Sequence, residues 1–253
     1  MCGRYFITTP PEAIRRLFRY ADQPNFPPRH NIAPTQPVPI VRIESGERCF
    51  ALVRWGLIPA WAKDPKGFSL LINARAESVN DKPAFRNAMK RRRCLFPADG
   101  FYEWKGEGGA KSNTKRPFLA RPRDGGPMAF AGLWETWTGP NGEEMETAAI
   151  VTVAANAEMG AIHHRAPAIL APEMHGPWLD CAGVDALAAA ALLRPAPDGT
   201  MEVYPVSTAV NRVANDSPAL VEPASVDDVS PEPAAAPRRK PQPAPDDRQG
   251  SLF

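Results

Sequence analysis

The sequence lacks long hydrophobic runs, and no stretch approaches the roughly 18–20 consecutive apolar residues that cross a bilayer. Its first residues also lack the apolar segment and small-residue cleavage site of a secretory signal peptide. Charge of one sign is scarce too, because the formal net charge is only +2, which by itself indicates no nucleic-acid partner. We therefore expect a cytoplasmic protein without membrane contact.

Cysteine is equally scarce, and the four cysteines are far apart, at Cys2, Cys49, Cys94 and Cys181. They form no C-x-x-C pair, so their spacing is not typical of a zinc site, and nothing in the sequence indicates the oxidising compartment that disulfides need. We expect neither a metal nor an organic cofactor. Three of these residues are expected to pack as small apolar side chains.

Cys2 differs from the other cysteines because it directly follows the initiator methionine. A small second residue favours removal of Met1, which would leave an α-amine and a thiol on adjacent carbons. The amine can add to an aldehyde, and the sulfur can then close on the same carbon to form a five-membered thiazolidine. An α-amine has a pKa of about 7.7–8.0 and a thiol one near 8.5, so only modest activation is expected. From position alone, however, Cys2 is more simply the second residue of a strand.

The composition changes near residue 222. Residues 223–253 contain seven prolines and almost no large apolar residues before the last two. Such a segment cannot bury enough surface to offset the entropy lost on ordering it. We expect one folded domain over residues 1–222 and a disordered, proline-rich tail over 223–253.

Short apolar runs, separated by glycine and proline turns, fill the expected domain. The strand-like runs are VPIVRI and CFALVRW on either side of a Ser45-Gly46 turn, then RCLFPA, GFYEW, PFLARP, MAFAGLWETW, TAAIVTVAA, PAILAP and MEVYPV. Helices are predicted after Thr9, which forms a capping box with Glu12, and at 84–92 and 184–193. The pattern predicts an α+β fold around a curled, antiparallel or mixed sheet.

Several polar residues interrupt these apolar runs. Asn73, Arg75 and Glu77 alternate, so in a strand their side chains would share one face. Glu103 lies between aromatic residues, and His163 precedes an apolar strand. Each has a structural explanation when taken alone: Asn73 as a turn residue, Glu103 as the partner of an arginine, and His163 as a core histidine.

Taken together, the motifs resemble those of the SOS response-associated peptidase (SRAP) family, whose members are also described as abasic-site processing or shielding proteins. The motifs in question are MCGRY, NIAPTQ, WGLIPAWA, INARAES, CLFPADGFYEW, FAGLWE, IVTVAA, IHHRAPAIL and VSTAVN, in the family's order. The resemblance extends over about residues 2–222. It implies a β-rich pseudo-barrel with a few flanking helices and a cleft for single-stranded DNA.

The resemblance also implies a role for each site residue. Cys2 would be the nucleophile that captures the ring-opened aldehyde of an abasic site. Asn73 would hold the N-terminus and the sugar remnant, and Glu103 would act as general acid and base during imine formation and ring closure. His163 would help to open the sugar or shuttle protons. The chain departs from the family at His164, where relatives often have an acidic or amide residue.

A second set of residues would contact DNA according to the same resemblance. This set consists of Gly3, Arg4, Pro34, Trp55, Pro59, Trp61, Arg75, Thr152 and Arg165. Its arginines would bind phosphates through their guanidinium forks. Trp55, Pro59 and Trp61 would form an apolar wedge that stacks on bases or separates them.

The last residues of the chain, QGSLF, resemble the Q-x-[S/D]-L-F peptide that bacterial replication and repair proteins use to bind the sliding clamp. Leu252 and Phe253 could enter an apolar pocket while Gln249 forms hydrogen bonds at its rim. The alternative is that an apolar end arose by drift in a tail of no function. The peptide would suit a protein that meets abasic sites at stalled replication forks.

Three functions remain open at this point. The first is a monomeric DNA-repair protein, associated with the nucleoid, that shields abasic sites in single-stranded DNA through a thiazolidine at Cys2. The second is a cysteine peptidase with an N-terminal nucleophile, which could cleave its own Met1–Cys2 bond. The third is a non-catalytic binder of single-stranded DNA. Only the aminothiol chemistry explains why the cysteine must begin the mature chain.

Overall fold

Two sheets form most of the computed structural model, which describes residues 2–22, 24–64, 69–106 and 115–224. The strands in these residues are β1 (Tyr5–Ile7), β2 (Arg29–Ile32), β3 (Pro37–Glu44), β4 (Glu47–Trp55), β5 (Asn73–Arg75), β6 (Arg93–Ala98), β7 (Gly100–Gly106), β8 (Lys115–Pro122), β9 (Met128–Thr138), β10 (Glu144–Ala154), β11 (Arg165–Pro167), β12 (Ile169–Leu170) and β13 (Met201–Pro205). The helices are α1 (Pro11–Phe18), α2 (Arg86–Arg91), α3 (Ala157–Gly160), α4 (His175–Leu179) and α5 (Ala186–Ala190). Met1, almost all of the predicted tail and the QGSLF peptide lie outside the described residues.

The larger sheet closes on itself. Strands β10, β4, β3, β6 and β9 follow one another in pairing order, and β9 pairs again with β10, which completes a ring. The pairing of β4 with β10 is parallel, whereas the other pairs in the ring are antiparallel. The expected α+β class and the pseudo-barrel are confirmed. Closure protects the strand edges of the ring, which would otherwise be open to pairing with other chains.

The β3–β4 hairpin turns where the sequence predicts it. Ser45 and Gly46 both have positive φ angles, 51° and 86°, as a two-residue type I′ turn requires. Glu44 and Glu47 are the last paired residues on either side. The turn fixes the register along the whole hairpin, down to the pair formed by Pro37 and Arg54.

The smaller sheet has the order β13-β8-β7-β1-β2 and brings the chain start into its interior. Tyr5 on β1 pairs with Phe101 on β7 and with Ile32 on β2. The ring of Tyr5 packs edge-on against Trp55 of the barrel, with 5.4 Å between ring centroids. Phe101 makes the same kind of contact with Phe130 at 5.9 Å. The two sheets therefore share one core, which anchors the first residues of the chain.

The predicted capping box at α1 is wrong. Pro10 occupies the N-cap position, and no side chain caps the helix. Asp99 accepts hydrogen bonds from the backbone amides and hydroxyls of Thr8 and Thr9 instead. Thr9 is thus held by a carboxylate from the bend between β6 and β7 and does not cap α1. The helices predicted at 84–92 and 184–193 are present as α2 and α5.

The predicted strand face at INARAES is also partly wrong. β5 ends at Arg75, and a 3₁₀ turn over Ala76–Ser78 follows. Glu77 therefore leaves the face that it was expected to share with Asn73. Further 3₁₀ turns among the described residues lie at Pro172–Met174, Thr208–Asn211 and Pro218–Val221.

Candidate active site around Cys2

Cys2 lies three residues before the start of β1 and is fully buried. Beyond the paired Tyr5 and Phe101, the backbone amide of Tyr102 donates to the Arg4 carbonyl at 2.9 Å. The same antiparallel register brings the first residues alongside Glu103. The start of the chain is therefore held as part of the smaller sheet, where termini are more often loose.

The surroundings of Cys2 oppose ionisation of its thiol. Burial, and after it the negative charge of Glu103, raises the pKa of the thiol well above its ordinary value, and the backbone amide of Arg4 opposes this shift. The expectation of only modest activation is therefore wrong for this conformation. A buried thiol of this kind rests in its protonated form and needs a base to accept its proton when it reacts.

Asn73 contacts the residue that carries the thiol. β5 pairs in parallel with β10, with Asn73 opposite Ile150, and this pairing directs the amide towards the chain start. Nδ2 of Asn73 donates a hydrogen bond of 2.9 Å to the backbone carbonyl of Cys2. Its Oδ1 is buried and has no hydrogen-bond partner in the described part of the chain. Since a buried acceptor without a donor costs about 1–3 kcal/mol, a donor from a bound molecule or a freed α-amine would fit there.

Glu103 links the thiol electrostatically to His163. Only 5% of Glu103 is exposed, which agrees with its predicted place among aromatics. Its Oε1 accepts a hydrogen bond of 3.2 Å from the backbone amide of Trp104. Its charge acts on the pKa of both Cys2 and His163. The structure thus brings Cys2, Asn73, Glu103 and His163 to one site.

His163 is held in one orientation by its own backbone and that of Arg165. Its amide donates to the Met159 carbonyl at 2.8 Å, and its Nδ1 accepts the backbone N–H of Arg165 at 3.0 Å. Nδ1 also lies 3.2 Å from the Arg165 carbonyl, so the tautomer decides which of the two contacts is a hydrogen bond. Burial lowers the pKa of His163, although the charge of Glu103 opposes this effect. The ring also stacks on His164, with 4.4 Å between centroids.

Arg165 forms an internal ion pair. Its guanidinium contacts both carboxylate oxygens of Glu77, at 2.6 and 2.9 Å, and donates to the Thr152 carbonyl at 2.5 Å. The arginine is buried, and its fork is already occupied. Arg165 thus ties the loop of His163 to the turn after β5, and its expected phosphate contact stays a prediction.

Arg4 is largely engaged within the protein as well. Its Nη1 donates to Oδ1 of Asn31 at 2.7 Å and to the Val210 carbonyl at 2.8 Å, and its guanidinium lies 5.7 Å from the Trp104 ring centroid. Burial lowers the pKa of Arg4. Sequence reasoning missed Asn31, which is buried, although it opens the NIAPTQ motif. Its place in that motif is the signal from which the sequence could have identified Asn31.

The predicted DNA wedge is mostly inside the protein. Trp55 is fully buried and donates its indole N–H to the Ile72 carbonyl at 3.0 Å, so its ring cannot stack on a base in this conformation. Pro59 and Thr152 are buried too. Trp61, by contrast, is 56% exposed.

The remaining members of the DNA-contact set keep some accessible surface. Arg75 is exposed at the end of β5, opposite Thr152 of β10. Gly3 and Pro34 are partly exposed. Together with Trp61, Arg75 is the member of the set that the fold leaves most open to a ligand.

Two further features of the structure concern metal-ligand clusters and membrane-spanning helices. Within the described ranges, no three or more histidine, cysteine, aspartate or glutamate residues are grouped so that they could hold a metal ion. No helix of this part of the chain has both the length and the apolar character needed to cross a bilayer.

The family model and the related proteins that match this chain agree with one another. The family described as SOS response associated peptidase (SRAP) matches residues 1–213. The chain is 37% identical over 225 residues to the Abasic site processing protein YoqW of Bacillus subtilis (strain 168), which covers 88% of this chain and 99% of that protein. It is 33% identical over 263 residues to the Abasic site processing protein HMCES of Gallus gallus, with 88% of this chain and 78% of that protein covered.

Solved structures show the same fold. A protein from Bacteroides thetaiotaomicron superimposes with a TM-score of 0.76 at 27% identity, over 88% of this chain and all of that chain (100%). A protein from Bordetella bronchiseptica gives a TM-score of 0.70 at 26% identity, over 81% of this chain and 100% of that chain.

Proposed function

The chain belongs to the SOS response associated peptidase (SRAP) family, and we propose that it processes abasic sites in single-stranded DNA through a covalent bond to Cys2. The observation that carries the proposal is the hydrogen bond from Asn73 to the Cys2 carbonyl, which fixes the first residue of the mature chain beside Glu103 and His163. The names of YoqW and HMCES, both abasic site processing proteins, support the choice of lesion.

The reaction begins with the ring-opened sugar of the abasic site. Removal of Met1 frees the α-amine of Cys2, which adds to the C1′ aldehyde, forming a C–N bond as the nitrogen loses a proton and the oxygen gains one. The resulting carbinolamine loses water and becomes an imine. His163 donates a proton to the sugar oxygen during ring opening, and Asn73 keeps the amine in place.

Ring closure then uses the thiol. The sulfur of Cys2 forms a bond to the imine carbon, its proton leaves, and the imine nitrogen gains one. Because the buried thiol resists ionisation, Glu103 accepts the thiol proton as the sulfur adds, which is general-base catalysis. The product is a thiazolidine crosslink. The whole sequence releases one water and needs neither an oxidant nor a cofactor.

The DNA strand reaches Cys2 over the exposed members of the predicted contact set. Arg75 would bind a backbone phosphate, and Trp61 would stack on a base next to the lesion. Single-stranded DNA suits this arrangement because its bases are already unpaired. In this proposal Trp55 and Arg165 support the site from within the core.

The experiment is a crosslinking assay with an abasic single-stranded oligonucleotide. After denaturation, the mature protein should carry the oligonucleotide with a mass lower by one water. Cys2→Ser should lose the thiazolidine, although an imine from its amine can still be trapped with borohydride. Cys49→Ser, which changes a cysteine away from the site, is the matched control and should react like the unaltered protein.

The same assay separates the alternatives. A cysteine peptidase would form no product with the oligonucleotide and would instead cleave peptides in a Cys2-dependent reaction. A simple binder would release the DNA on denaturation. Mature protein that still carries Met1, or an acetylated amine, would contradict the proposal, because the ring could not form.

We extend the proposal to the C-terminal peptide, which rests on sequence alone. Gln249, Leu252 and Phe253 would bind the bacterial sliding clamp and bring the protein to stalled forks. Pull-down with purified clamp should capture the full chain and not a variant with Leu252→Ala and Phe253→Ala. Equal capture of both would end this part of the proposal, whatever the outcome of the crosslinking assay.

A further inference from the structure

A cavity of about 570 Å³ lies between the end of α1, the start of β4 and α4. Three arginines line it, Arg16, Arg19 and Arg48, together with the carboxylate of Glu173. Arg16 already lies 4.0 Å from Glu12 on its own helix. The cavity is therefore positively charged, chiefly through Arg19 and Arg48.

Arg48 is positioned by the backbone around it. Its Nη1 donates to the Phe18 carbonyl at 2.9 Å, and its Nη2 lies 3.6 Å from the position that a Cβ would take at Gly176. The next residue after Phe18 is Arg19, whose φ of 57° ends α1. The two guanidiniums thus belong to backbone segments that are tied together.

No carboxylate in the described part of the chain forms an ion pair with Arg19 or Arg48. Burial, followed by the charge of Arg19, lowers the pKa of Arg48. Like charges that share a cavity repel each other, and an anion between them would relieve that repulsion. The arrangement has the charge and the donors that an oxyanion needs, since a guanidinium fork matches a phosphate.

A rigid wall completes the cavity. The ring of His175 stacks on Phe18, with 5.3 Å between centroids and 6° between planes. Its Nε2 donates to the Leu170 carbonyl at 3.2 Å. Burial lowers the pKa of His175, and the charges of Arg48 and Arg19 act in the same direction. The ring is therefore neutral near pH 7 and leaves the charge of the cavity to the arginines.

The cavity is remote from Cys2. Arg48 lies near the start of β4, whereas Trp55 ends the strand, roughly 23 Å away at the usual rise per residue. Trp55 donates to the carbonyl of Ile72, the neighbour of Asn73. The arginine cavity is thus at the opposite end of β4 from the candidate active site.

We propose that this cavity is a second anion site, in which Arg19 and Arg48 bind a phosphate group. Its volume lies in the range of ligand pockets and exceeds what a bare phosphate needs. It therefore suits a phosphate ester, either a phosphodiester of a nucleic-acid strand or a small phosphate compound. The site does not depend on the chemistry of Cys2.

The test is a titration of inorganic phosphate into the full chain with ¹⁵N-labelled arginine, observed at the Nε–Hε resonances. Phosphate should shift the Arg48 and Arg19 resonances to saturation, and sodium chloride at equal ionic strength should not. Arg19→Gln, at an exposed position, should weaken binding roughly tenfold, as expected for one charge-assisted contact. Arg194→Gln removes another exposed arginine, outside the cavity, and should leave binding unchanged.

Competition then identifies the source of the phosphate. An oligonucleotide without an abasic site that displaces phosphate from Arg48 would identify a DNA strand as the ligand. Displacement by thymidine monophosphate alone would identify a small phosphate ester, and either result supports the site. A shift that never saturates, or a titration unchanged by Arg19→Gln, would overturn it. Arg19→Gln should still crosslink abasic DNA, so failure here is separable from failure at Cys2.

Discussion

The amide of Asn73 donates a hydrogen bond to the carbonyl of Cys2 across 71 positions of sequence, at 2.9 Å. Two segments that are remote in the chain therefore meet at Cys2. The bond fixes the backbone of the proposed nucleophile, and Oδ1 of the same amide, which has no partner among the described residues, remains available for a second donor.

Asn73→Ala should slow crosslinking roughly tenfold, because one neutral hydrogen bond contributes about 0.5–1.5 kcal/mol. The single-turnover rate with abasic oligonucleotide measures the effect. Asn87→Ala, at an exposed position on α2, is the control and should react at the normal rate. An unchanged rate in Asn73→Ala would mean that the N-terminus is positioned without this bond.

Glu103→Gln should reduce the crosslinking rate by about 100-fold or more, the usual contribution of general acid–base catalysis. It should also lower the pKa of the Cys2 thiol, because the charge of Glu103 now raises it. The pH dependence of thiol alkylation should therefore move to lower pH in the variant. This pair of results separates a base from a merely structural carboxylate.

Glu202→Gln is the control, because it removes a carboxylate that pairs with Arg121 at the other edge of the smaller sheet. It should change neither the crosslinking rate nor the pH dependence of thiol alkylation. If alkylation of Glu103→Gln moved to higher pH, the assigned interaction between Glu103 and the thiol would be wrong.

Trp61→Ala should weaken binding of single-stranded DNA by about tenfold or more, the contribution of one stacking aromatic. Its stability should remain within about 0.5 kcal/mol, since the side chain is exposed. Trp55→Phe should leave the DNA affinity unchanged and instead lower the stability of the fold. The cost should be about 1–3 kcal/mol, through lost packing and a lost hydrogen bond. DNA titrations and urea unfolding measure the two effects. Equal losses of DNA affinity in both variants would place Trp55 at the DNA after all.

Glu77→Gln should destabilise the fold by about 1–2 kcal/mol, because it leaves the buried guanidinium of Arg165 without its counter-charge. The figure is below that of a fully buried pair because the Glu77 side chain is 59% exposed. Urea unfolding measures it, with exposed Glu47→Gln as control. The salt dependence of DNA binding should not change. If the plot of log binding constant against log salt concentration became steeper by about 0.7, the released Arg165 would be shown to bind a phosphate.

Local sequence signals predicted most of the secondary structure. The run RCLFPA forms β6 over Arg93–Ala98, and Ser45-Gly46 forms the expected turn. These features succeed because strand pattern and turn chemistry are local. Closure of the barrel was implied only by the family resemblance, because the parallel pairing of β4 with β10 leaves no local mark.

Contacts between residues distant in sequence could not be predicted. Asp99 draws Thr9 away from its expected cap, and Arg165 pairs with Glu77 at a distance of 88 residues. Trp55 has the sequence surroundings of a wedge residue, yet sequence does not reveal which side of β4 faces the core. The residues around Cys2 were named by resemblance, and their contacts became visible only with the fold.

The position of β1 between β7 and β2 gives the reactive end an unusual safeguard. An exopeptidase that trimmed past Cys2 would soon erode a central strand and detach β2 from its sheet. Such trimming would remove Cys2 first and would reach the strand itself only at Tyr5.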